Sequence, residues 1–429
     1  MKKLLSMLLV LIMLLGLMGC SANMSGGVAG VPENGGAIYG DGGGLRDEIM
    51  GTEMAPEASP DVAPGDKAEA EIEDGADIGF EGNHSRPAAG TLTAGEWKDV
   101  ENLEFWTKLL NRNDWYQLME HRDLYTNNVI PVFVHDVNGN PIFNATVTLS
   151  GEQGALYIAR TGIDGKAWIL RNLNKTDDGA KNIIVGDRVF DIPAEGVLDV
   201  TAETAGIKVE ALDLMLMVDT TGSMSDELTY LQKELENVIE RVADAGKTLS
   251  INVSVNFYRD ETDEYVVRSF EFTSNIQKAI ADLNVQKADG GGDYPEAVHK
   301  ALDNAIKEHQ WRNKAVKLMF FVLDAPPHTE REIKGINEQI TKTVKLASEK
   351  GIRIIPLASS GVDTETEFLL RSWAVMTGGT YTFLTNHSGI GGDHLEPTIG
   401  EYKIEKLNEC MIRVICQYCG LEYHAPDVQ

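Results

Sequence analysis

The chain has 429 residues, room for two or three domains, since single cores stop growing at about 250–300 residues. Asp and Glu number 66 against 38 Lys and Arg, a formal charge of −28 at pH 7, which argues against nucleic acid or anionic lipid headgroups as partners. Such a charge suits an exported protein that tolerates or collects divalent cations. Met1-Lys2-Lys3 and the apolar run from Leu4 to Met18 come first. A basic start with a short apolar core marks an export signal, and the run is too short for a comfortable membrane span.

Leu17-Met18-Gly19-Cys20 closes that run and resembles a bacterial lipobox, with Met18 in place of the usual small residue. The resemblance implies a signal over residues 1–20, cleavage before Cys20 and lipidation of its thiol; two or more acyl chains anchor a protein stably. Residues 21–95 carry fourteen Asp or Glu against three Lys or Arg, with much Gly, Ala and Pro. That composition buries too little surface to offset chain entropy, so a disordered acidic tether is expected. In residues 96–126 aromatics return, and Leu103, Trp106, Leu109 and Leu110 share one helical face. The segment reads as helix packed on a neighbouring domain.

Residues 127–205 change period. Val129-x-Pro131-x-Phe133 and Ala145-x-Val147-x-Leu149 alternate, and Asn138-Gly139-Asn140-Pro141, Asp164-Gly165 and Asp177-Asp178-Gly179 separate the strands as turns. The string from Val137 to Val147, then Thr161-x-x-Asp164-Gly165-Lys166-Ala167, resembles the Ig-like or carboxypeptidase-regulatory-like β-sandwiches of bacterial surface proteins, which usually serve as spacers.

Leu212 to Val218 is an almost unbroken apolar run, the pattern of a strand buried on both faces. It ends in oxygens at alternate positions, Asp219, Thr221 and Ser223. Ser223 and Ser225 are N-cap candidates for a helix starting near Asp226, with Leu228, Leu231, Leu235, Val238, Ile239 and Val242 at helical spacing. Further strands are expected at Ile251–Tyr258, Tyr265–Phe272 (an edge), Leu318–Leu323, Ile352–Leu357 and Thr380–Leu384, with helices between them. Alternation of this kind predicts an α/β fold, a doubly wound, mostly parallel sheet over residues 206–417. Residues 418–429 are left as a tail.

Asp219-x-Thr221-x-Ser223 resembles the metal-ion-dependent adhesion site of von Willebrand factor type A domains. Asp-Thr-Thr-Gly-Ser-Met, then Gly290-Gly291-Gly292-Asp293-Tyr294-Pro295-Glu296-Ala297 and Leu323-Asp324-Ala325-Pro326-Pro327-His328, resembles the hemicentin-like branch. Hard oxygen donors suit Mg²⁺, or Mn²⁺ or Ca²⁺. The resemblance implies a cation held by Asp219, Thr221 and Ser223, with Asp324 as the late aspartate. Many such domains have threonine in the third loop; here Asp293 is the nearest oxygen, a metal ligand directly or through water, or else a cap of the helix that follows. Glu296, Arg259 and Asp260 are expected on the same rim, read as helix-dipole complementarity and a surface ion pair. His387, Asp393 and His394 read as loop composition. Cys410, Cys416 and Cys419, with His424, allow packed thiols, a short disulfide or a zinc site.

Together these readings describe a lipid-anchored, extracytoplasmic surface protein that binds a protein or other macromolecule bearing an acidic residue. It is expected to be a binding module and not an enzyme, and nucleic acid is not an expected partner. The alternatives are an exported metal-dependent hydrolase or its subunit, and a cell-envelope assembly factor.

Overall fold

The computed structural model describes residues 87–203, 206, 208–245 and 249–423; the export signal, Cys20, nearly all of the tether and His424 lie outside them. The tether boundary expected at residue 95 falls inside a strand, Thr93–Trp97 (β1), with Leu92 and Ala94 fully buried. Leu103–Leu110 (α1) and Asn113–Arg122 (α2) follow, and Trp106, Leu109 and Leu110 are the buried face of α1, as their spacing predicts.

The β-sandwich is built from Val129–His135 (β2), Thr146–Gly151 (β3), Gly154–Arg160 (β4), Lys166–Leu170 (β5), Ala180–Val185 (β6), Arg188–Asp191 (β7) and Leu198–Thr201 (β8). They form one sheet ordered β5-β2-β8 and a second ordered β4-β3-β6-β7. Inward residues alternate along β2, where Ile130, Val132 and Val134 are buried, because successive side chains of a strand point to opposite faces.

The remaining elements are Ala211–Asp219 (β9), Leu228–Ala245 (α3), Ser250–Tyr258 (β10), Val267–Arg268 (β11), Ile276–Asn284 (α4), Val298–Asp303 (α5), Val316–Leu323 (β12), Ile336–Lys350 (α6), Ile352–Ala358 (β13), Thr364–Thr377 (α7), Tyr381–Leu384 (β14), Glu405–Lys406 (β15) and Leu407–Cys419 (α8). A single sheet ordered β11-β10-β9-β12-β13-β14-β1-β15 joins the strands, parallel from β10 to β14 and antiparallel at both edges. The edge strand expected at 265–272 is only two residues long, and β1 and β15 extend the other edge. Leu214, Leu216 and Val218 of β9 pack with α3, α4 and α8, while Met215 and Met217 face the side of α5, α6 and α7. Fully burying one such side chain stabilises by about 1.5–3 kcal/mol, so β9 is fixed from both sides. Asp213, the acid within the run, is buried and satisfied by Arg312 Nε at 2.6 Å and Arg312 N at 2.7 Å.

The sandwich does not stand off as a spacer. Tyr157 Oη donates to Met376 O at 2.5 Å, Arg160 Nε to Glu349 O at 2.8 Å, and Arg353 Nη2 to Arg160 O at 2.8 Å. All three contacts lie at the carboxyl ends of α6 and α7 or the start of β13. That is the amino edge of the sheet, opposite the carboxyl ends of β9 and β12.

Ser223 and Ser225 do not cap α3. Gly222–Asp226 is a 3-10 turn that no side chain caps. The cysteines Cys410, Cys416 and Cys419 are free and buried in α8, which continues to Cys419, past the boundary expected at residue 417.

Candidate metal centre

β9 is the switch point of the sheet: β10 flanks it on one side and β12 on the other. Asp219 is in register with Tyr258, and Val218 with Val322, so three strands deliver their carboxyl ends to one place. Crevices of this kind bind ligands in open α/β sheets. Asp219 and Thr221 are fully buried, and Asp324, just past β12, is nearly so. Asp219 Oδ1 accepts from Thr221 N at 2.8 Å and Thr221 Oγ1 at 2.7 Å, and Thr221 Oγ1 lies 3.1 Å from Ser223 Oγ. The first loop therefore holds its three oxygens together before any ligand arrives.

The loop from Asp289 to Glu296 closes the second side. Gly222 N donates to Gly290 O at 3.1 Å, and Asp289 N to Thr220 O at 3.1 Å. Gly290 adopts φ +77, and a Cβ there would meet the Asp263 carboxylate at 2.2 Å, so the close approach requires glycine. Gly291 also has positive φ (+69), and a Cβ on it would sit 3.1 Å from Glu296 Oε1 and 3.4 Å from Thr221 Cβ. Glu296 is thus turned in among the first-loop oxygens. Its backbone N donates to Pro326 O at 3.0 Å, tying this loop to the one after β12.

Three carboxylates consequently crowd one another, each with one oxygen left over. Asp219 Oδ2, Glu296 Oε2 and Asp324 Oδ1 are buried and have no hydrogen-bond partner. Burial raises Asp219 to about 6, and burial followed by the charge of Asp219 raises Asp324 to about 7 and Glu296 to about 9. An orphaned buried carboxylate oxygen is costly. Three of them, with two hydroxyls and no nitrogen or sulfur, fit a hard divalent cation.

The structure brings Asp219, Thr221, Ser223 and Asp324 together. Glu296, read from sequence as a helix-dipole residue, lies in the cluster itself; its signal was its place six residues after three loop glycines begin. Asp293 does not cap α5, whose N-cap is Ala297 with no side-chain bond. Asp293 is exposed, and its carboxylate groups with His328 and Glu332. Arg259 and Asp260 are not a surface ion pair. Both are buried: Arg259 Nε donates to Thr220 O at 3.1 Å, bracing the first loop, and Asp260 Oδ1 lies 2.8 Å from His328 Nε2. His394 leaves the Gly-rich loop to sit 2.9 Å from the buried Glu227.

The family model described as von Willebrand factor A domain matches residues 213–388, a span that contains all of these loops. Two curated relatives are an ariadne-like RING finger protein, R811, of Acanthamoeba polyphaga mimivirus, 32% identical over 117 residues, and the alpha-protein kinase vwkA of Dictyostelium discoideum, 27% identical over 120 residues. The matches cover 27% and 28% of this chain, and 11% and 19% of those proteins' lengths. Among solved structures, the conserved hypothetical protein BatB from Bacteroides thetaiotaomicron aligns with TM-score 0.34 and 12% identity, over 49% of this chain and 99% of its own. Domains of the matched family mediate protein interactions, in some cases through a divalent metal. With the doubly wound sheet and its loops in place, residues 213–388 are a von Willebrand factor A domain.

Proposed function

We propose that the A domain binds a protein or other extracellular macromolecule through one divalent cation, Mg²⁺ by preference or Mn²⁺ or Ca²⁺, and that the chain is a lipid-anchored surface protein rather than an enzyme. The observation that carries the reading is the trio of orphaned oxygens on Asp219, Glu296 and Asp324, a buried acidic site whose charge a cation or protons relieve. Asp219, Thr221 and Ser223 would hold the ion, with Asp324 and Glu296 behind them. When bound, the ion supplies a Lewis-acidic position where a partner's Asp or Glu can replace water. The chain's own residues do the rest: Thr221 and Ser223 fix the first loop, Gly290 and Gly291 bring the second loop close, and Arg259 holds Thr220. The anchoring part of the proposal rests on Leu17-Met18-Gly19-Cys20 and the export signal before it.

The test is calorimetry of the full chain with Mg²⁺, followed by capture of surface extracts with and without chelator. One ion per chain and a capture lost in chelator are expected. Asp219→Ala should remove the Mg²⁺ heat at millimolar metal and the capture together. No heat in the wild type, or capture unchanged by chelator, would overturn the metal-dependent reading.

A further inference from the structure

We infer that Asp293, His328 and Glu332 form a second cation site on the same rim, for a borderline ion of the Zn²⁺ class, separate from the oxygen-only cluster at Asp219. Their ligand atoms lie within 4.8 Å of one another. They arrive from two segments: Asp293 from the loop before α5, and His328 and Glu332, four residues apart, from the connection between β12 and α6. Ligands bonded to one ion at about 2.0–2.2 Å cannot be more than about 4.4 Å apart, so small side-chain adjustments bring all three within bonding range.

The ring of His328 is the reason to expect zinc rather than a solvated acidic face. Its Nε2 lies 2.8 Å from Asp260 Oδ1, a buried carboxylate at the end of β10. An ionised carboxylate only accepts, so Nε2 is the nitrogen that donates to Asp260 and Nδ1 is the one left to face an ion. That Nδ1 lies 3.7 Å from Glu332 Oε2. A ligating imidazole backed by a carboxylate on its other nitrogen is the arrangement that fixes tautomer and ring direction at zinc sites. The backbone behind the ring is also held: Arg122, buried in α2, donates from Nη1 to His328 O at 2.9 Å and from Nη2 to Pro327 O at 3.1 Å. Glu332 is fixed in turn by Thr329 N at 2.6 Å and Thr329 Oγ1 at 2.9 Å. One nitrogen and two carboxylates match the ligand preference of Zn²⁺ better than that of Mg²⁺, and three protein ligands leave a fourth position open at the exposed rim.

The experiment uses the full chain, stripped of metal and then saturated with Mg²⁺. It is titrated with ZnCl₂ by calorimetry and with CoCl₂ by visible absorption. One Zn²⁺ per chain should bind beyond the Mg²⁺, and Co²⁺ should show bands of a nitrogen and oxygen environment. His328→Ala and Glu332→Gln should each weaken Zn²⁺ by at least about tenfold and erase the cobalt bands, whereas Asp219→Ala should leave both in place. Should His328→Ala fail to fold, the exposed positions Glu332→Gln and Asp293→Asn decide the matter. Absence of Zn²⁺ heat, or unchanged affinity in these variants, would overturn the site. So would a cobalt–thiolate band leading to Cys416 and Cys419, or loss of Zn²⁺ in Asp219→Ala.

Discussion

Lowering the pH from 8 to 5 should weaken Mg²⁺ binding at the Asp219 cluster by about three orders of magnitude, because protons and the cation compete for the same oxygens. Burial raises Asp219 to about 6 and Asp324 to about 7. At pH 5 a group of pKa about 7 is ionised roughly one time in a hundred, and one of about 6 roughly one time in ten. The product is about a thousandfold, or about 4 kcal/mol at 1.4 kcal/mol per factor of ten. Glu296, raised to about 9, keeps its proton across the interval and adds nothing to the slope. The sign for the metal-free chain is opposite. These carboxylates have folded values above their unfolded ones, so their contribution to stability is fully present below about pH 4 and is lost as pH rises through 6 to 9. Calorimetry in buffers of different ionisation enthalpy reads both parts, with about one proton released per ion at pH 6.5. A Mg²⁺ affinity that moves less than about tenfold between pH 5 and 8, with the chain folded at both, would refute the reasoning.

Glu296→Gln mimics the protonated side chain, so the metal-free variant should be more stable than the wild type above pH 9, by roughly 1–3 kcal/mol, and equal to it near pH 5; denaturant midpoints across pH check this. Arg371→Met should destabilise by about 3–5 kcal/mol, because Arg371 Nη2 meets Asp99 at 2.7 Å and Nη1 meets Glu367 at 2.9 Å, all three buried; equilibrium unfolding reads it. Cys20→Ala should move the chain from the detergent phase to the aqueous phase or leave its signal uncleaved, as partitioning and mass measurement of the exported chain would show.

Much of the central sheet was legible because burial on two faces writes itself as continuous apolar sequence, as in Leu212 to Val218. The sandwich was legible through alternation and turn residues. What escaped was set by distant partners. Thr93–Trp97 sits in an acidic, Gly-rich context and becomes a strand because Tyr381–Leu384 offers an edge to pair with. Val267–Arg268 is short although Tyr265 to Phe272 alternates, because Asn256 Oδ1 takes Phe270 N at 2.9 Å in place of a ladder bond. In the site, the first loop and Asp324 could be read because each follows a strand end directly and their strings resemble a known metal-site motif. Asp293 and Glu296 could not be told apart: both are acids in one loop, and the turn at Gly290 and Gly291 decides that Glu296 faces inward while Asp293 meets His328.

The two ends of the sheet divide the work. At the amino edge the sandwich is bonded to α6, α7 and β13 through neutral backbone acceptors, Met376 O, Glu349 O and Arg160 O. Contacts of that kind hold at any pH near neutral. At the carboxyl edge β9 and β12 lead into Asp219 and Asp324, each with one buried oxygen that lacks a partner, and each loop is held by bonds that do not involve the cation: Gly222 to Gly290, Glu296 to Pro326, Arg122 to Pro327. A site so restrained cannot relieve its repulsion by opening, so the cost of confining negative charge stays until a cation or protons arrive. Preorganisation of this sort makes binding depend on charge rather than on folding of the loops. It follows that metal should raise the melting temperature with little change in far-ultraviolet circular dichroism, and that a large gain in helix or strand on adding Mg²⁺ would contradict the loop bonds described above.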